Sequence, residues 1–192
     1  MIRTLLASTL AVVVSFGAAS AATLSFAPTP LPFLSPDATL ISGTLVNNVT
    51  ASEGGVRLSP WANDSGPFSS VAGEAQYTFG ALSSFFSLVW GSPDSYNTLT
   101  FFDDNGQVDQ VLGNQILGYT AGGNVPKSLV TIITAAAFNR VVFSSVNGDG
   151  SPRAAFEWAR VTNVAPVPLP AGALLLLGGL GALGALRRRK SV

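Results

Sequence analysis

The chain has 192 residues and balances ten basic against ten acidic side chains, and it contains neither cysteine nor histidine. Those two absences exclude disulfide frameworks, thiol nucleophiles, thiolate or imidazole metal sites, and every His-dependent acid–base or Ser-His-Asp mechanism. The basic residues gather at the ends, so between residues 22 and 163 five basic side chains face ten acidic ones, and that balance of minus five repels phosphate backbones and argues against nucleic-acid binding.

At the start, Met1, Ile2 and Arg3 form a short positive region and residues 5–18 a largely apolar run. Ala19-Ser20-Ala21 then supplies the small-x-small pattern that signal peptidase accepts. The pattern predicts an exported chain with a signal peptide helix at residues 1–21, read by the peptidase at Ala19 and Ala21. An uncleaved anchor is the rival, but the apolar run falls short of the roughly 20 residues that a span requires. Residues 22–36 follow as an extended arm, rich in proline (Pro28, Pro30, Pro32, Pro36), with room for one edge strand.

From residue 37 to 163, short runs of Val, Ile, Leu, Thr, Phe and Tyr alternate with clusters of Gly, Asn, Asp, Ser and Pro. That pattern predicts an all-β domain with many turns. Strands are expected at 38–46, 55–59, 75–79, 85–90, 97–102, 107–112, 115–120, 129–134, 140–145 and 153–161, with a helical turn where Ala135, Ala136 and Ala137 fall together. So many strands without a convincing helix favour an antiparallel β-sandwich of jelly-roll type over a barrel. In the last strand, period-two geometry sets Ala154, Phe156 and Trp158 on one face, the expected core, and Ala155, Glu157 and Ala159 on the other.

The most distinctive stretch is residues 85–102, where Trp90-Gly91-Ser92-Pro93-Asp94-Ser95-Tyr96-Asn97-Thr98 joins two apolar runs. Pro93 and Asp94 suit a turn, so the plain reading is a structural corner. The sharper reading is a glycan site, with Trp90 or Tyr96 stacked on a sugar ring and Asp94 and Asn97 bonded to its hydroxyls. In Asp103-Asp104-Asn105-Gly106-Gln107-Val108-Asp109, oxygen-bearing side chains alternate as a calcium loop requires, with Asp103, Asn105 and Asp109 as ligands, but the terminal Glu of an EF-hand is missing. Asn105-Gly106 between two β runs is first of all a hairpin turn. Asn147-Gly148-Asp149-Gly150 reads the same way. A carboxylate-dependent glycan hydrolase would need a pair drawn from Asp94, Asp104 and Glu157 at a set spacing, and the sequence brings no two of them together. No cofactor is expected other than calcium.

The chain closes with Val167, Pro168, Leu169, Pro170 and Ala171, then an uncharged, wholly apolar run over 171–186, then Arg187, Arg188, Arg189 and Lys190. A helix over those sixteen positions would be about 24 Å long, short of a roughly 30 Å hydrocarbon core. The cationic stop keeps its own end cytoplasmic and leaves the domain outside the inner membrane. A buried core helix would carry a polar face, and this run has none. A permanent anchor is the remaining rival.

In that order, motif, apolar helix and basic stop resemble the PEP-CTERM sorting signal in its VPLPA variant, with Leu169 where Glu commonly stands between the prolines. The resemblance covers about the last 25 residues. It implies recognition by an exosortase, a membrane-embedded cysteine transpeptidase, after membrane anchoring of the precursor through its C-terminal transmembrane helix. Delivery to the cell surface or the extracellular polysaccharide matrix then follows. The Trp90–Thr98 loop is similar to that of one group of PEP-CTERM passengers, described only as exosortase-dependent surface proteins. The expected partners are therefore signal peptidase, exosortase, the membrane and exopolysaccharide. The expected role is structural or glycan-contacting in a biofilm and non-enzymatic, with a calcium-assisted carbohydrate-binding adhesin as the alternative.

Overall fold

The computed structural model describes residues 21–28, 34–116 and 128–165. Ala19, the sorting motif (Val167 to Ala171), the apolar run and the basic stop (Arg187 to Lys190) lie outside the described residues. So does most of the strand expected at 115–120, whose first position instead closes a 3-10 turn at Gly113–Gln115. Among the described residues, no helix is long and apolar enough to cross a membrane.

The fold is all-β and mostly antiparallel. Its strands are β1 (Thr23–Pro28), β2 (Thr39–Val49), β3 (Phe68–Trp90), β4 (Asn97–Asp103), β5 (Gly106–Leu112), β6 (Ser128–Ser145) and β7 (Phe156–Thr162). They hydrogen-bond in the order β2-β3-β6-β4-β5, with β1 added beside β6 and β7 beside β3. The proline-rich arm does carry an edge strand, β1. No strand forms over 55–59, where a turn closed by the Glu53–Arg57 bridge stands instead.

Two predicted pairs of strands are each one strand. β3 runs through the expected gap at 80–84, and β6 runs through the alanines, which are extended rather than helical. The pairing of β3 with β6 explains both. Residues 73–78 of β3 match 145–140 of β6, the register breaks around Ser83↔Phe138, and residues 85–90 match 133–128. The alanines of 135–137 fall at that break, where none has a partner residue in β1 or β3, and they stay extended between the two paired stretches of β6, whose pairing outweighs helix propensity.

β3 cannot be straight. Trp158 of β7 lies opposite both Ser69 and Trp90, near the two ends of β3, yet a 23-residue strand would extend about 75 Å. β3 and β6 therefore bend together at residues 79–84 and 134–138, and their halves form two facing layers, a sandwich-like arrangement. Val71, Ala75 and Tyr77 from one half of β3 share a buried cluster with Phe86, Leu88 and Trp90 from the other. Aromatic rings fill the space between. Phe138 meets Phe86 and Phe101 edge-on at 6.1 and 4.9 Å, and Phe143 bridges Phe156 and Trp158. Each such pair contributes roughly 0.5–1.5 kcal/mol beyond its burial. The expected facing of Phe156 and Trp158 into this core is correct, whereas Ala154 is exposed.

Candidate functional site

At the open end of the sandwich, opposite the bend, three segments meet around a pocket of about 300 Å³. They are the turn carrying Gly55 to Leu58, the β3–β4 loop with Ser92, Asp94 and Tyr96, and the start of β7 with Ala154, Ala155 and Glu157. Glu157 sits at its base. The residue is only 3 % exposed, although strand alternation places it on the outward face. What covers it is distant in sequence. The Leu58 backbone N–H donates to Oε1 at 3.0 Å, and the Ser92 hydroxyl donates to Oε2 at 2.5 Å. Gly91 makes the approach close enough, donating its N–H to the Glu157 carbonyl at 2.8 Å, and a Cβ there would come within 2.7 Å of the Glu157 Cβ. Burial pushes the carboxyl up to about 7. The Ser92 and Leu58 hydrogen bonds pull it back, and the nearby Asp94 carboxylate adds to the rise.

The β3–β4 loop is built by its own side chains. Asn97 accepts the Asp94 N–H on Oδ1 at 2.8 Å, donates its own N–H to the Asp94 carbonyl at 3.0 Å, and donates Nδ2–H to the Ser145 hydroxyl at 3.3 Å. From the other side Gly113 packs so tightly on the Asp94 carbonyl that a Cβ would collide with it. The loop therefore holds Asp94 with its carboxylate toward Tyr96, whose hydroxyl donates to Oδ2 at 2.7 Å. Burial and that carboxylate together raise the Tyr96 phenol above its ordinary range, and it stays protonated. The Arg153 guanidinium lies 3.8 Å from the Tyr96 ring centre, leaving at most one ring face for a ligand.

The four residues expected to contact a sugar thus divide. Asp94 and Tyr96 line the pocket. Trp90 does not: it is 1 % exposed, stacked on Phe156 at 4.4 Å, and belongs to the core. Asn97 is fully buried and committed to the loop backbone and Ser145, so it is a positioning residue. Trp90 ends a run of β3, from Phe86 onward, in which every residue is buried.

The side chains of the calcium reading, in the β4–β5 turn, are engaged in local hydrogen bonds. Asp103 accepts the N–H groups of Asn105 and Gly106 on Oδ1 and the Asn105 amide on Oδ2, which holds its carboxyl below the usual range. Asp109 bonds the Gln110 N–H, and Asp104 accepts from Asn139 at 2.7 Å. The segment is a hairpin turn, with Asp103 paired to Gly106. Asp149 likewise bonds the Ser151 N–H and hydroxyl within a turn. Among the described residues no group of three acidic side chains converges as a metal site.

Of the hydrolase candidates, Asp104 is remote on that hairpin, while Asp94 and Glu157 share the pocket. Sequence reasoning missed Arg57, Leu58 and Ser92 as pocket residues. Arg57 pairs with the Glu53 carboxylate at 2.9 Å across the turn. No family model matches the chain, and no curated protein or solved structure matches it.

Proposed function

We propose that this chain is an exported protein, released by signal peptidase and sorted by an exosortase to the cell surface or the extracellular polysaccharide matrix. Its passenger is a jelly-roll-type sandwich that contacts glycan through the Asp94–Tyr96–Glu157 pocket without turning it over. The sorting half rests on one observation, the order of proline motif, uncharged apolar run and four cations over residues 167–190. Its test is the mass of the mature C-terminus. An exosortase substrate loses residues 174–186 in cells with active enzyme, and a chain that keeps them overturns the sorting.

Support for glycan contact comes from the pocket's mixture of one aromatic ring, two carboxyl groups and a serine hydroxyl, beside the exposed apolar side chains Val56 and Leu58. Sugars present that combination of C–H faces and hydroxyls. Binding of the full chain to exopolysaccharide fragments on an array should fall at least tenfold in Asp94→Ala and stay unchanged on adding a calcium chelator. Unchanged binding in Asp94→Ala removes the site, and loss with chelator favours the calcium-assisted adhesin.

A second reading, a glycan hydrolase, is favoured by one observation alone. A carboxyl group pushed up to about 7 shares a pocket with a second carboxylate, the division of roles that acid catalysis of glycoside cleavage uses. Release of reducing ends from the producer's own exopolysaccharide, lost in Glu157→Gln, would establish it.

A further inference from the structure

The two ends of the described fold leave it at the same place. Thr23, the first residue of β1, lies opposite Ile133, which lies opposite Phe85, the first ladder row beyond the bend. At the other terminus Thr162 lies opposite Ser87, and the Ser83 hydroxyl donates to the Asn163 carbonyl at 2.8 Å. Both chain ends therefore emerge beside the bend of β3 and β6. Beyond them the sequence turns apolar quickly. The run that signal peptidase removes ends at residue 18, and in the processed chain the tether is C-terminal, where six residues carry the chain from Ala165 to Ala171, a reach of at most about 20 Å.

The bent end has the chemistry to match. No Asp, Glu, Lys or Arg occurs in β1, in residues 75–90 of β3 or in residues 128–139 of β6. Leu82 and Val164 are 61 % and 68 % exposed there, Ile133 is 42 % exposed, and the alanines at 135–137 are exposed beside them. Single exposed apolar residues are ordinary. Here they coincide with both exits and with uncharged stretches of β1, β3 and β6, while β7 brings one cation, Arg160, near its exit. The open end is the reverse, with Asp94, the Asp149 turn and the Glu157 pocket.

We infer that the bent end of the fold rests on the lipid–water interface of the membrane that anchors the precursor, and that the pocket end is thereby held outward. The inference rests on the reading of residues 171–186 as a membrane segment. The acidic β4–β5 turn reaches the level of the bend on the other layer, where Asp104 meets Asn139, so the contact lies on the β1–β7 side and suits zwitterionic headgroups. An outward pocket can meet matrix polysaccharide while the chain is still anchored.

Because the chain has no cysteine, single-cysteine labelling of the full-length protein tests this directly. Leu82→Cys, Ala136→Cys, Val56→Cys and Asp149→Cys each alter an exposed side chain. Each variant would carry an environment-sensitive fluorophore and be reconstituted into phosphatidylcholine–phosphatidylethanolamine vesicles. Lipid-attached nitroxide should quench labels at 82 and 136 at least threefold more than labels at 56 and 149, and aqueous iodide should show the opposite ranking. Equal quenching at all four sites, or the reverse order, in protein that floats with the vesicles overturns the orientation and leaves the membrane segment standing. Failure of the full chain to float with the vesicles overturns both.

Discussion

Glu157 is the residue at which this fold departs from its own alternation. An outward position on a strand ordinarily takes a solvated side chain, and here the turn at 53–58 and Ser92 close over it. Its carboxyl rises from the ordinary 4.5 to about 7, so between those values the native protein holds a proton that the unfolded chain has released. Stability from this group is therefore fully present below about pH 4.5 and lost as pH rises toward 7, a change of roughly 3 kcal/mol at most. Asp103 and Asp149, whose carboxyls are held below their ordinary range, act oppositely and only at lower pH. Thermal melts should thus show a midpoint that falls from pH 5 to pH 7.5. Glu157→Gln should flatten that slope, since a neutral amide still accepts the Leu58 N–H and can donate to the Ser92 oxygen. A slope that survives in Glu157→Gln would mean that another group carries it.

At the scale of elements, turns were legible and strand continuity was not. Asn105-Gly106 reads as a hairpin and is one, because its side chain and glycine act locally. Gly80, Ser83 and Ser84 also read as a gap, yet β3 continues through them because β6 supplies partners on its far side. The pocket was half legible for the same reason. Asp94 and Tyr96 stand in one loop, but Glu157 joins them through the Ser92 hydroxyl, 65 positions away, and is covered by the Leu58 N–H, 99 positions away. Trp90 looked like a sugar platform because sequence does not say which face of a strand is inward.

Glycine supplies a second long-range constraint. Gly43 and Gly73 face each other across β2 and β3 with φ of +81° and +121°, and a Cβ on Gly73 would run into the Ser42 carbonyl. Gly73→Ala should cost on the order of 2 kcal/mol or more, from a backbone conformation closed to L side chains plus that collision. Gly54→Ala, where no atom lies within 4 Å of the added methyl group, is the control and should move the denaturant midpoint little.

Across the whole molecule, β3 and β6 belong to both layers, so neither layer can lose its strands while the other keeps them. The aromatic contacts repeat this constraint. Phe143 from one half of β6 packs on Phe156 and Trp158 of β7, which in turn pairs with both ends of β3. Unfolding should therefore be a single transition, with tryptophan fluorescence and far-UV circular dichroism coinciding in denaturant. Leu88, fully buried in the half of β3 beyond its bend, and Val141, fully buried in the half of β6 beyond its own bend and paired with Tyr77 in the other layer, sample the two layers separately. Leu88→Ala should lower stability by about 2–5 kcal/mol, and Val141→Ala by a smaller amount of the same sign. In both variants the two probes should still move together. Separation of the probes in either variant would show that the bend is a hinge between independent layers. Because the pairings join residues as far apart as Thr23 and Ile133, refolding should be slow for a chain of this size, on the order of milliseconds to seconds. Stopped-flow fluorescence would measure it.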